Sequence, residues 1–112
     1  MADKGFHIKV LVPTDDGTTV SENGIESSSY YLMYNISNRS YQLAGRMKTK
    51  ELFGVNSFSL SVFLDYCSEN LVDAVVVLKM HKFDIVQCIE TNHNEIGESL
   101  NLIIDQINQG IL

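Results

Sequence analysis

The chain has 112 residues, 45% of them hydrophobic, with 8 Lys and Arg against 14 Asp and Glu and a formal net charge of −6. That length fits one domain spanning residues 1–112, and the hydrophobic fraction excludes a disordered chain. Clustered cations are what track phosphate or an anionic bilayer, so the acidic balance argues against nucleic acid and membrane surfaces as partners.

Residues 6–12 alternate through Phe6, Ile8, Val10 and Val12 with Leu11 on the other side, which predicts a strand covered on both faces at its end. Pro13, the single proline, ends this apolar segment. Residues 14–17, Thr-Asp-Asp-Gly, are turn chemistry, and the polar, Gly-punctuated residues 18–29 read as a surface loop. Residues 30–36 are aromatic and β-branched enough for a strand. A turn at 37–40 leads into a partner strand over 41–47, with Tyr41, Leu43 and Met47 on one face, giving an antiparallel hairpin.

Leu60, Phe63, Leu64, Cys67 and Leu71 recur at helical spacing and predict a helix over 57–70. Asn56 or Ser57 is the expected N-cap and Asn70 the expected left-handed stop. Residues 72–78 are apolar apart from Asp73, as in a central strand with helices on both sides. A last strand is expected over 84–90. The final helix buries Ile96, Leu100, Ile103, Ile104 and Ile107, with Asn92 and Glu95 as a capping-box variant and Gly110 at its end. The order predicts an α/β domain of three layers, a mixed sheet of about five strands with helices packed on it.

The opening residues 1–5 lack a signal-peptide apolar core, and the longest apolar run, 74–78, is far short of the roughly 20 residues a membrane helix needs. Cys67 and Cys88 sit in apolar segments with no paired spacing and read as small buried hydrophobes. The expectation is a soluble, cytoplasmic protein.

The sequence resembles the dinitrogenase iron–molybdenum cofactor biosynthesis family, whose domains share a ribonuclease H-like fold. The resemblance is carried by residues 8–17 (IKVLVPTDDG), by Val20-Ser21-Glu22 and by residues 31–36 (YLMYNI). Looser matches are residues 72–77 (VDAVVV) and 107–112 (INQGIL). It implies a non-enzymatic accessory or carrier domain that holds a metal–sulfur cluster, iron–sulfur or iron–molybdenum, or its precursor, and that meets cluster donor and acceptor proteins. The family's His-Phe-Gly after the serine loop is missing. Asn23 or Gly24 stands in the His column, and Asn is a poor ligand for soft iron. The family's helical connection between its last two strands is also shortened here to residues 79–83, whereas a parallel crossover takes about a dozen residues or more.

The segment from Thr14 to Gly24 follows the carboxyl end of a strand, where open α/β sheets bind ligands. With the resemblance it makes Thr14, Asp15, Ser21, Asn23 and Gly24 the candidate cofactor-binding residues. The plainer reading is a solvated turn.

His7, His81 and His93 are widely spaced and lack the close ligand pairs of zinc sites, although His81 and Cys88 could meet in space. A two-metal nuclease would need Asp15, Asp16, Glu51 and Asp73 to converge, and nothing in the sequence brings them together. Ser27-Ser28-Ser29 has no neighbouring His to activate a nucleophile. No metal ligand set or catalytic residue is therefore expected.

Arg46, Lys48 and Lys50 form a positive stretch that either steers an anion or a partner or guards a strand edge. Tyr30, Tyr31, Tyr34 and Tyr41 crowd one hairpin, either as core or as a homodimer surface. The alternative function is a structural or regulatory interaction domain that homodimerises and binds no cluster.

Overall fold

The computed structural model describes residues 8–22, 24–54, 58–78, 87–90 and 95–110, with the backbone alone for 24 and 87–90. Five strands form one mixed sheet: β1 (Ile8–Thr14), β2 (Tyr30–Ile36), β3 (Tyr41–Lys48), β4 (Ala74–Val77) and β5 (Gln87–Glu90). Their spatial order is β3-β2-β1-β4-β5. The helices are α1 (Gly24–Ser27), α2 (Thr49–Phe53), α3 (Leu60–Glu69) and α4 (Ile96–Asn108).

β1 is the axis of the sheet. It pairs antiparallel with β2 and parallel with β4. Side chains alternate across a strand, so its two apolar series feed two cores. Val10 and Val12 join Leu32, Ile36, Ala74 and Val76 beneath Leu100, Ile103 and Ile107 of α4. Leu11 joins Tyr31, Met33, Val75 and Val77 against Ile25 of α1 and Phe63 and Cys67 of α3. The result is a three-layer α/β arrangement with helices on both faces. β4 has all four residues buried, as its unbroken apolar run requires.

Pro13 does not end β1, which runs on to Thr14. The Lys9 N–H donates to Asp73 Oδ2 at 2.8 Å, and the Lys9 carbonyl accepts from the Asp73 N–H at 2.7 Å. Lys9 therefore turns its backbone polar groups toward β4, and by strand alternation so do Leu11 and Pro13. The β1–β4 register stops at Leu11–Val75, so the missing donor of Pro13 removes no rung from it.

Several expectations are corrected. Residues 18–29 are more than a surface loop. Val20, Ser21, Ile25 and Ser28 are buried, and the segment contains α1. In β3, Met47 does not share a face with Tyr41 and Leu43. Met33 pairs with Gly45 and Tyr34 with Leu43, leaving Ala44 as an extra residue. Such a bulge shifts the alternation by one, so Tyr41, Leu43, Arg46 and Lys48 face one way and Met47 the other.

The helix expected over 57–70 begins at Leu60, capped by Ser59, whose Oγ accepts from the Val62 N–H at 3.4 Å. Asn56 and Ser57 lie outside the described residues. Of its apolar stripe only Phe63 and Cys67 are buried, and Leu71 is 76% exposed. Asn70 is the C-cap, but its φ is −98° and the left-handed residue is Leu71 at φ 58°. The Val72 N–H reaches the Cys67 carbonyl and the Leu71 N–H that of Ser68. These are the two bonds of a Schellman motif, here with leucine in the place glycine usually takes.

α4 buries the expected Ile96, Leu100, Ile103, Ile104 and Ile107. Its N-cap is Glu95 without a side-chain bond, and Asn92 lies outside the described residues. Gly110 follows the C-cap at φ 77°, as a helix stop requires. β5 lies parallel to β4, from Ala74–Gln87 to Val77–Glu90. Only residues 78–86 link the two strands, shorter than the usual parallel crossover. Of this link, residues 79–86 lie outside the described residues. No described helix is long and apolar enough to cross a membrane.

Candidate functional site

The carboxyl end of β1 opens into a segment held by its own polar side chains. The buried Thr14 hydroxyl donates to the Thr19 carbonyl at 2.6 Å and accepts from the Gly17 N–H at 2.9 Å. Gly17 sits at φ 85°, a conformation that favours glycine. The exposed Asp16 accepts from the N–H groups of Thr18 and Thr19 at 2.9 and 2.8 Å and from the Thr19 hydroxyl at 2.8 Å. The Thr18 N–H, then the Thr19 N–H and hydroxyl, hold its carboxyl well below the usual carboxylate range.

Asp15 ties this turn to the start of β2. Its Oδ2 accepts from the Ser21 hydroxyl at 2.9 Å, and its Oδ1 accepts from the Ser29 N–H at 2.9 Å and hydroxyl at 3.1 Å. The Ser21 N–H in turn donates to the Pro13 carbonyl at 2.8 Å. The Thr18 carbonyl accepts from the Ile96 N–H at 3.0 Å, so the segment also anchors the start of α4.

Among the sequence-predicted residues, Thr14, Asp15 and Ser21 thus meet at one place, with oxygens that bond to the segment itself. Gly24 begins α1. Asn23 lies outside the described residues. Asp73 bonds to Lys9 at the opposite end of β1, about 20 Å of extended strand away from Asp15. Among the described residues no group of three or more His, Cys, Asp or Glu side chains is placed to hold a metal ion. Cys67 is buried in the core under α3. His7, His81 and His93 lie outside the described residues, as does the side chain of Cys88.

Two concavities lie at this end of the hairpin, and Thr14, Asp15 and Ser21 line neither of them. One, of about 270 Å³, is bordered by Asp16 and Gly17 and by Tyr30, Tyr34, Leu43 and Arg46 of the hairpin. Its wall is aromatic: Tyr34 meets Tyr41 edge-on at 5.8 Å, and the Arg46 guanidinium lies over the Tyr30 ring at 5.5 Å. The other, of about 480 Å³, lies between Ser27–Tyr30 and Lys48–Lys50. The sequence marked its cations, but nothing in the sequence signals that residues 27–30 face them.

The tyrosines divide between the faces of the sheet. Tyr31 is wholly buried and donates to the Ile25 carbonyl, while its ring packs edge-on against Phe63. Burial, with neighbouring Cys67, Tyr66 and Glu26 adding to it, pushes its phenol far above the usual tyrosine value. Tyr41 is 38% exposed on the edge strand.

The architecture is that of a three-layer α/β domain with a mixed sheet. No family model matches the chain, and comparison with curated proteins finds no match. Among solved structures it is similar to the crystal structure of a protein from Methanocaldococcus jannaschii described as a "putative dinitrogenase". The two share 16% identity over 89% of this chain and 90% of that one, with a TM-score of 0.59. At that identity the likeness establishes a shared fold.

Proposed function

We propose that this chain is a non-enzymatic accessory domain of the dinitrogenase iron–molybdenum cofactor type, with a ribonuclease H-like fold and its ligand end at the carboxyl edge of β1. The observation that carries this reading is the locked polar segment there, with a concavity that Asp16 and Gly17 border, in a fold shared along nearly the whole chain with the archaeal structure. Ligands of open α/β sheets bind at such an edge.

In this reading Thr14, Asp15 and Ser21 shape the mouth, and Asn23 and Gly24, where the family His would fall, are the proposed contacts. The cargo is a metal–sulfur cluster or its precursor, exchanged with donor and acceptor proteins in the cytoplasm. The described oxygens of the mouth are hard donors and do not fit as ligands for iron in a sulfide cluster, which favours thiolate and imidazole. Cargo is therefore held here by polar contacts to its periphery.

Anaerobic incubation with iron, sulfide and a small thiol that supplies the cluster's terminal ligands, followed by desalting, tests the reading. Retained iron with broad visible charge-transfer absorption is expected, unchanged in Cys67→Ser because that thiol lies in the core. A desalted chain that carries no iron overturns the carrier assignment.

A second reading is favoured by Tyr41 and Leu43, 38% and 55% exposed side by side on the edge strand β3. It is an interaction domain that homodimerises through this edge and binds no cluster.

A further inference from the structure

We propose that the 480 Å³ cavity between residues 27–30 and 48–50 is a binding site for a small phosphate monoester, with Lys48, Lys50 and the Ser28 hydroxyl as the groups that take its phosphate. The inference goes beyond the carrier reading and uses different residues.

The cavity is built from two chain segments stitched together. The Ser29 carbonyl accepts from both the Thr49 N–H at 3.0 Å and the Thr49 hydroxyl at 3.2 Å. The Ser29 N–H and hydroxyl are taken by Asp15 on the far side. The Asp15 carboxylate is thereby turned into the β1 segment and satisfied there, while the exposed Glu26 and Glu51 adjoin the lining residues Ser27 and Lys50. What borders the opening is cationic: Lys48 and Lys50, with no ion pair among the described residues, on a protein whose net charge is −6. A local positive concavity on an acidic molecule concentrates anions against the overall field.

The second observation is independent of charge. Ser28 is 4% exposed, lines the cavity, and its Oγ is the one buried side-chain polar atom among the described residues that makes no hydrogen bond. A buried hydroxyl without a partner loses its bonds to water and gains none in return, so natural folds rarely leave one. Ser28 Oγ has no exposed surface as it stands, and a turn of this short side chain toward the cavity would let a phosphate oxygen between the two ammonium groups supply the missing acceptor. Ser27 and the Tyr30 ring complete the wall, and the cavity volume is in the range of small-molecule sites, larger than a phosphate ion alone needs. The surplus room beside an aromatic ring is the reason for choosing an ester.

Calorimetric titration and thermal melting with inorganic phosphate and with phenyl phosphate, against potassium chloride at matched ionic strength, test the site. Both probes are expected to bind and to raise the melting temperature beyond the chloride control. Lys48→Gln/Lys50→Gln is expected to weaken phosphate binding at least 10-fold. Ser28→Ala is expected to weaken it several-fold while melting, without ligand, at the wild-type temperature or higher. Tighter binding of phenyl phosphate assigns the ester, and equal binding assigns the free ion to the same pocket. Phosphate that acts no better than chloride, or that the double variant binds as well as wild type, overturns the proposal. Because iron loading is read separately, a chain that retains iron but ignores phosphate loses this pocket alone. A chain that binds phosphate but retains no iron loses the carrier reading alone.

Discussion

At Asp16 one exposed carboxylate accepts from two successive backbone N–H groups and a hydroxyl, closing the turn after β1. Its ionised form is the one these donors stabilise, so its folded value lies below the unfolded one. The stabilisation is present above the ordinary carboxylate value of about 4 and is lost as pH falls from there toward the folded value, where the unfolded chain binds the proton first. Urea denaturation from pH 6 downward is expected to show Asp16→Ala less stable than wild type at pH 6, with the gap closing in acid. Asp16→Asn keeps an acceptor for both N–H groups and should fall between the two, with less dependence on pH. The turn character of Asp15-Asp16-Gly17 was legible from residue type. The bond from Asp15 to Ser29 was not, because it joins residues fourteen apart whose proximity depends on the β1–β2 pairing.

Among the elements, the long periodic ones were legible and the short ones were not. α4 shows its buried face as Ile96, Leu100, Ile103, Ile104 and Ile107 because isoleucine and leucine at that spacing have one arrangement that hides them all. α1 and α2 span four and five residues, too few for a period to register. The bulge at Ala44 is not legible in the sequence because an extra residue in a strand carries no side-chain signature, yet it reverses the facing of everything after it. The end of α3 misled for a related reason. Asn is the usual non-glycine residue for a left-handed stop, but the chain places Leu71 there. A left-handed leucine costs about 1–2 kcal/mol, and at 76% exposure this one recovers little by burial. Leu71→Gly is expected to stabilise the protein by about 0.5–1 kcal/mol after the added freedom of the unfolded chain is counted, as measured by chemical denaturation.

At the scale of the whole molecule, the mixed sheet and its double covering followed from Val10, Leu11 and Val12 supplying both faces and from the four buried residues of β4. The parallel seating of β5 did not follow, since the link after Val77 is shorter than such crossovers usually need. The sheet leaves β3 as an outer strand carrying Arg46 and Lys48, which blunt edge pairing, beside the apolar Leu43. Light scattering decides which tendency prevails. If the second reading holds, the wild type is a dimer and Leu43→Lys a monomer of unchanged melting behaviour. A wild type that is monomeric at high concentration removes that reading.

The donorless Pro13 gains meaning from the order in which the strands leave the ribosome. β1, β2 and β3 emerge together and pair with near neighbours, whereas the other flank of β1 waits for Asp73 and β4. During that interval the innermost strand of the finished protein is a temporary border, open to any passing chain. A proline whose backbone faces that side, with its carbonyl already engaged by Ser21, shortens the stretch a stranger can zip onto. The residue that looked like a full stop in the sequence thus leaves that flank of β1 one backbone donor short.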